Sequence, residues 1–343
     1  MLVLGLSLIN SIDLWVGIKT YLWHIQTLII FYIIASSIVH SDIEKLLVFF
    51  LIITLMHSIY DIILFVLAEG KIRSMGLAGA SIGVFTLVSL AICYSFFIYQ
   101  KHIKGRILMG IAILILLCGL MVTQTRGAYI SLVPCYIFIT LTALWKANKI
   151  RSKFIIRNIV WLSLFVFAAI IVFIFSYSSF IESLGHGHKM LILPGYFIDT
   201  TQLRYFLWDL SLKCFLRNPI LGVGLGQFYR ISAIMPGLKL NVLSQVIKGL
   251  DPHNTILYYL SQTGIVGLSS FLYLLLSSLS LLFAKHNNSV EIRDLRISTA
   301  LLGFLFYVII SSFYAGEWFY GVGGGLLALF LGLCVVFKPV SKQ

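Results

Sequence analysis

Residues 254–283 read NTILYYLSQTGIVGLSSFLYLLLSSLSLLF, without one charged side chain. About 20 consecutive apolar residues carry a helix across the hydrocarbon core of a bilayer. A helix at the surface of a soluble protein keeps charge on its outward face, so a run of this length does not fit there. Working outward from it, the same texture recurs at 1–18, 21–39, 46–67, 76–100, 105–123, 126–145, 155–176, 297–316 and 321–337. Together with 254–283 this predicts about ten transmembrane helices. One long stretch with polar residues, 177–253, interrupts the series.

The bulk numbers agree with the local reading. The chain has 343 residues, of which 60% are apolar and 11% charged, and its mean hydropathy is +1.01. Soluble domains carry roughly a quarter charged residues. The expected class is an all-α polytopic membrane protein. A soluble enzyme and a disordered chain are excluded, and so is an outer-membrane barrel, whose strands alternate polar and apolar residues. The expected organisation is an N-terminal bundle over 1–176 with about seven spans, a loop over 177–253 and a C-terminal bundle over 254–343 with about three. The chain opens without a basic region or an Ala-x-Ala site, so no cleaved signal peptide is expected.

A net charge of +13 invites a nucleic-acid reading, but the basic residues stand singly in short loops rather than in blocks. Orientation bias accounts for them. With the N-terminus inside, Lys45, Lys101, Lys104, Arg106, Lys146, Lys149, Arg151, Lys153, Arg157, Lys285, Arg293, Arg296, Lys338 and Lys342 fall on the inner side. Only Lys19, Lys71, Arg73 and Arg126 fall in short outer loops. The long loop then faces outside, which in a bacterium is the periplasm. Five cysteines, Cys93, Cys118, Cys135, Cys214 and Cys334, form no Cys-x-x-Cys pair, so neither a zinc site nor a disulfide framework is indicated.

Within the loop, Leu203, Phe206, Leu207, Leu210 and Cys214 recur at helical spacing. Asp199, Thr200 and Thr201 offer N-caps, and Pro219 ends the run. This predicts an amphipathic helix on the membrane interface, with Arg204 at the edge of its apolar stripe. The stretch Gly222-Val223-Gly224-Leu225-Gly226 superficially suggests a dinucleotide site. It follows no strand and lacks the last spacing, so it reads as a tight turn.

Several residues could carry chemistry. Arg126 opens a span, where a guanidinium either snorkels to the interface or binds an anion with help from the helix dipole. His253 stands where the loop re-enters the membrane, and an imidazole there can take a proton from a hydroxyl. Equally, His253 and Asn254 suit an ordinary interfacial histidine and a helix cap. His57 and Asp61, four residues apart, share a helix face; a pair that ties two helices is the plainer reading. Asp13 and Glu317 are lone acids near span ends. The acids of the loop, Asp199, Asp209 and Asp251, are scattered, so no metal requirement is expected.

The run His253-Asn254, nine residues, Gly264-Ile265-Val266-Gly267 is similar to the signature of O-antigen ligases, His-[Asn/Ser/Gln]-x9-Gly-x2-[Gly/Thr/Tyr]. Thr125-Arg126-Gly127-Ala128 resembles the Arg-Gly span start of O-antigen ligases and polymerases. Arg204 with Trp208, then Asn218-Pro219-Ile220-Leu221-Gly222-Val223-Gly224 and Phe228, resembles the outer-loop segment of that superfamily. Arg217-Asn218-Pro219-Ile220-Leu221 fits the Arg-x3-Leu pattern of the ligases, whereas Arg204-x3 ends on Trp208. The resemblance covers roughly residues 105–335. Family members usually have about twelve spans with the loop after the ninth; here it follows the seventh, as a missing N-terminal hairpin would leave it.

The resemblance implies a GT-C-like architecture in the bacterial inner membrane with its active site facing the periplasm. It implies transfer of O-antigen polysaccharide from undecaprenyl pyrophosphate to a sugar hydroxyl of lipid A–core. His253 would be the catalytic base, Arg126 and Arg204 would hold the pyrophosphate, and Arg217 is the reserve candidate. No cofactor and no metal would be needed, and the partners would be the lipid-linked glycan, lipid A–core and membrane lipids. The nearest alternative is an O-antigen polymerase with the same donor. A protein O-oligosaccharyltransferase is a more distant relative. A proton-coupled transporter using His57 and Asp61 is the rival of a different class, and it would predict internal repeats.

Overall fold

The computed structural model describes residues 2–67, 82–123, 126–149, 152–163, 189–193, 196–228, 252–314 and 321–338. Among the described residues the chain is helical nearly throughout. In order run α1 (Leu2–Leu6), a 3-10 turn (Ser7–Asn10), α2 (Leu14–Ser37), α3 (His40–Leu67), α4 (Ile82–Ile98), α5 (Ile103–Thr123) and α6 (Arg126–Lys149). Residues 153–163 form α7. An antiparallel hairpin of β1 (Lys189–Leu193) and β2 (Tyr196–Asp199) follows. Then come α8 (Thr200–Arg217), α9 (Thr255–Asn288), α10 (Ile292–Ser311) and α11 (Gly321–Val336).

Among the described residues six helices are long and apolar enough to cross a membrane: α2, α3, α5, α6, α9 and α10. Two shorter apolar helices, Gly83–Ile98 and Gly323–Val336, match the expected spans 76–100 and 321–337. The all-α polytopic class therefore holds, with the small hairpin as an addition. One span is corrected. Residues 1–18 are not a membrane-crossing helix but α1, the 3-10 turn, a break at Ser11–Asp13 and the start of α2. The break has a local cause. Asp13 caps α2, its Oδ1 accepting the Val16 N–H at 3.1 Å.

The contacts divide the chain into two units. One comprises Met1–Gln26, Ser163–Leu274 and Ser312–Tyr320; the other comprises Thr27–Leu162, Leu275–Ser311 and Gly321–Gln343.

The second unit is a helix bundle built around α10. Most of α10 is buried, including Leu295, Ala300, Phe304 and Val308, as expected of a helix with neighbours on every side. It packs against α4, α6 and α11, while α3 packs on α5 and α4. Helix α3 buries Ile43, Leu47, Leu51, Thr54, Ser58 and Asp61, in steps of three or four that make one stripe. Phe49, Ile52 and Met56 point outward and are exposed. An apolar outer face is what lipid requires. His57 sits beside the buried stripe with its ring stacked on Tyr60.

Several charged groups of this unit sit at helix ends. Glu44 of α3 accepts from Arg293 Nε at 3.0 Å and also from Arg296. His40 Nε2 lies 3.1 Å from the buried Asp294 carboxylate. Lys146 Nζ donates to the carbonyls of His286 and Asn287 at the end of α9. Lys285 Nζ does the same for Cys334 and Val335 at the end of α11. A cation at a helix C-terminus satisfies orphan carbonyls and meets the negative end of the dipole.

Helices α3 and α5 approach closely because Gly119 has no side chain. A Cβ at Gly119 would stand 2.6 Å from Ser58 Cβ and 3.2 Å from Ser58 Cα. At Gly325 the nearest atom to such a Cβ is 4.0 Å away. Gly119→Ala is therefore expected to destabilise the bundle by about 1–3 kcal/mol, and Gly325→Ala to leave it nearly unchanged. Thermal unfolding in detergent, followed by size-exclusion chromatography, compares the two.

Candidate functional site

The first unit is organised around a break in α9. Gly264 has φ 65° and ψ −165°, far from helical values. In a straight helix the Ile265 N–H would bond the Ser261 carbonyl, and the Val266 N–H the Gln262 carbonyl. Here all four groups bond the loop after α8. Val223 N–H donates to Ser261 O at 3.0 Å, and Gly224 N–H to Gln262 O at 3.1 Å. Ile265 N–H donates to Pro219 O at 2.9 Å, and Val266 N–H to Ile220 O at 3.4 Å. Where water is scarce, a helix break persists only if other protein groups take over its backbone partners.

This contact requires backbone against backbone. A Cβ at Gly264 would overlap the Ile220 carbonyl, and one at Gly222 would overlap the Gln262–Thr263 peptide. Both glycines also have positive φ, 65° and 69°, which side chains disfavour. The glycine-rich stretch is thus a tight turn, as its sequence suggests, and also the partner of a broken helix.

The N-terminal segment closes over the same loop. Asn10 Nδ2 donates to Gly222 O at 2.8 Å. Gln227 and Asp13 bond in both directions: Asp13 N–H to Gln227 Oε1 at 2.9 Å, and Gln227 Nε2 to Asp13 O at 2.8 Å. The Gln262 side chain accepts the Gly226 N–H at 2.6 Å. Gln227 and Gln262 are both buried. Sequence reasoning missed Asn10, Asp13, Gln227 and Gln262, because each pairs with a residue more than thirty positions away and no local spacing announces it.

Helix α8 enters this frame as its sequence predicts. Leu203, Leu207, Leu210 and Cys214 are buried, so the apolar stripe is real. It faces protein, however, and not lipid, which corrects the interfacial reading of that stripe. Outward-facing Asp209 and Lys213 pair along the helix. Burial pushes the Cys214 thiol up to about 12, with the positive charge of Arg217 pulling the other way.

His253 lies between α8 and the first turn of α9. Its backbone φ is 47°, the one positive value outside glycine among the described residues. A non-glycine residue held there costs on the order of 1–3 kcal/mol and needs neighbours that impose it. They are present on both sides. Trp208 Nε1–H donates to the Pro252 carbonyl at 3.0 Å. Asn254 Oδ1 accepts the Leu257 N–H at 2.9 Å, capping α9, while its Nδ2 donates to Phe313 O at 2.7 Å. Thr255 N–H donates to Ser312 O at 2.8 Å. The cap that the sequence offers at Asn254 is therefore real, and it anchors the histidine beside it.

The arginines are placed as follows. Arg204 is half-buried on α8, one turn before Trp208 and on the same helix face. Arg217 is exposed at the last turn of α8, roughly 20 Å further along the axis and turned to another face. Arg126 is the first residue of α6, in the other unit; its side chain lies outside the described residues. Near it, Tyr129 Oη bonds the carbonyls of Met121 at 2.9 Å and Leu120 at 3.2 Å, holding the end of α5 to the start of α6. Asp251 and Glu317 lie outside the described residues.

Two outcomes follow. Gly264→Ala is expected to cost at least about 2 kcal/mol, from strain and overlap together. Gly110→Ala, with only a ring atom of Phe97 at 3.9 Å in the way, serves as its control in thermal unfolding. In a variant that keeps Cys214 as its one cysteine, a maleimide at pH 7 should leave the native protein unlabelled and modify it after denaturation, because a buried thiol with a raised pKa offers little thiolate.

Residues 111–272 match the model of the family described as O-Antigen ligase. No curated protein matches the chain. The matched segment runs from α5 through His253 and the Gly264 break, and it supports membership of the O-antigen ligase superfamily. That family implies a glycosyltransferase-like enzyme of the O-antigen pathway.

Proposed function

We propose that the protein is an O-antigen ligase, transferring an O-antigen glycan from undecaprenyl pyrophosphate to a sugar hydroxyl of lipid A–core. The observation that carries this reading is His253. It is an imidazole side chain on a left-handed backbone conformation, fixed from both sides at the start of a broken membrane helix. Positions held in sparsely populated conformations by their surroundings cluster at functional sites. The family match over 111–272 supplies the pathway.

In the proposed reaction the acceptor hydroxyl oxygen attacks the anomeric carbon of the donor sugar. His253 takes the hydroxyl proton as the new C–O bond forms. The bond between that carbon and the pyrophosphate oxygen breaks, and its electron pair leaves with undecaprenyl pyrophosphate. A single displacement inverts the anomeric centre. Negative charge grows on the leaving group, and guanidinium groups aimed at it lower the barrier. Arginine suits this task because its planar fork binds phosphate oxygens through two bonds and stays charged. Arg204, one turn from the tryptophan that holds the His253 segment, is the first choice. Arg126 is the second phosphate ligand, and Arg217 is held in reserve at the far end of α8. The energy resides in the sugar–pyrophosphate bond, which fits an active site on the periplasmic face of the inner membrane, away from ATP. No metal or cofactor takes part in the proposed steps.

Complementation of a ligase-null strain tests the assignment, with lipopolysaccharide read on a gel. Wild type should restore the O-antigen ladder, and His253→Ala at equal membrane abundance should not. Arg204→Ala should lower ladder formation by at least about tenfold, and Arg204→Lys should rescue it poorly. Rescue of chain length in a polymerase-null strain, with no ladder in the ligase-null strain, would replace this reading by the polymerase that shares its donor.

A further inference from the structure

Trp208 has no part in the chemistry above, yet it makes a bond that a merely apolar residue could not. It is half-buried, and its indole N–H reaches 44 positions along the chain to the Pro252 carbonyl at 3.0 Å. That carbonyl belongs to the peptide that leads into His253, the residue at φ 47°. The Tyr205 ring packs edge-on against the indole at 5.7 Å. On the other side of His253, Asn254 and Thr255 are bonded to Phe313 and Ser312. The histidine backbone thus has two supports. The Asn254 side serves α9 as a cap whatever His253 does. Among the described residues the Trp208 side caps no helix and joins no strand; its consequence there is the orientation of the Pro252–His253 peptide.

We propose that Trp208 is a positioning residue for transfer. Its N–H holds the Pro252 carbonyl, which sets the imidazole of His253 relative to Arg204, one turn earlier on the same face of α8. One side chain thereby ties the group that receives the proton to the helix that carries the phosphate-binding arginine. Proton transfer needs heavy atoms within about 3 Å along the right line, and a misplacement of about 1 Å can lower a rate by about a hundredfold. This proposal rests on His253 being the base.

The test uses the purified full-length protein, an undecaprenyl-pyrophosphate-linked glycan and lipid A–core. Two variants remove the N–H and keep an aromatic ring: Trp208→Phe, and replacement of Trp208 by benzothienylalanine, which retains the indole shape. The second keeps the test decisive if the first folds poorly. Both should lower kcat by about 10- to 100-fold, leave the donor KM within about twofold, and shift the pH–rate profile of kcat. Arg204→Ala should lower kcat and also raise the donor KM, since its guanidinium binds the pyrophosphate before and during bond breaking. Wild-type kcat and pH profile in the benzothienylalanine protein would overturn the proposal. So would a loss confined to the fraction of folded protein, with the pH profile of the remainder unchanged. Wild-type transfer by His253→Ala would overturn the reading of the base itself, whatever the Trp208 variants do. An inactive His253→Ala beside a fully active Trp208 variant would sink the positioning role alone.

Discussion

The first unit depends on four backbone hydrogen bonds across the break at Gly264. A helix that interrupts itself in an apolar setting leaves two carbonyls and two N–H groups without partners, each costing several kcal/mol if left bare. The loop after α8 supplies all four partners, from Pro219, Ile220, Val223 and Gly224. Because the bonds are paired on both sides of the break, the loop cannot slide without losing them together. The end of α8 is fixed by the same stroke, since Pro219 follows Arg217 by two residues. The N-terminal segment is fixed in turn, since Asn10 and Asp13 bond the loop and its neighbour Gln227. The signature pair of glycines reads differently in this light. Gly264 is where the helix must open, and its spacing from His253 is the length of helix between the re-entry point and the opening.

Much of this architecture is legible from composition and periodicity. The lipid-facing helices announce themselves because the bilayer imposes one requirement on every residue of a span. The stripe Leu203, Leu207, Leu210 and Cys214 is equally plain, since burial on one face of a helix leaves a period in the sequence. What the stripe packs against is not legible. An apolar face suits protein and lipid alike, and only the contacts decide, here for protein. Residues 1–18 mislead for a related reason. Their hydropathy suits a span, but a single Asp13 cap and two distant side-chain bonds outweigh continuity of the helix, and hydropathy carries no record of partners more than 200 positions away.

The site shows the same division. His253 and Asn254 stand out at a membrane edge, Arg126 as a charge at the start of a span, and Arg204 as a charge at the edge of an apolar stripe. Trp208, which bonds the peptide before His253, and Gln227 and Gln262, which bond the loop and the N-terminal segment, are ordinary by type and become informative only through geometry. Arg204 and Arg217 are indistinguishable as candidates by residue type, and the Arg-x3-Leu pattern even favours Arg217. Helix α8 separates them by about 20 Å. A tryptophan one turn from Arg204 bonds the peptide before His253, whereas Arg217 is exposed at the last turn.

The two units use polar residues in opposite ways. In the second unit Glu44, Lys146, Lys285 and Asp294 close helix ends or pair charges, and each has its partner within the bundle. Such groups suit a scaffold, since a satisfied buried charge resists rearrangement. In the first unit the buried polar residues hold backbone. Gln227, Gln262 and Asn254 bond peptide groups of the loop, the N-terminal segment and the start of α9. The consequence is a stiff backbone around a histidine whose own main chain sits in a costly conformation. Stiffness of this kind suits the proton-accepting role proposed for His253. The strain at His253 can persist only while its neighbours are worth more than the 1–3 kcal/mol order of cost it carries, and a net hydrogen bond contributes about 1 kcal/mol. One bond would not be enough. Trp208 on one side with Asn254 and Thr255 on the other make several, so the left-handed conformer is sustained by the set and not by any member of it.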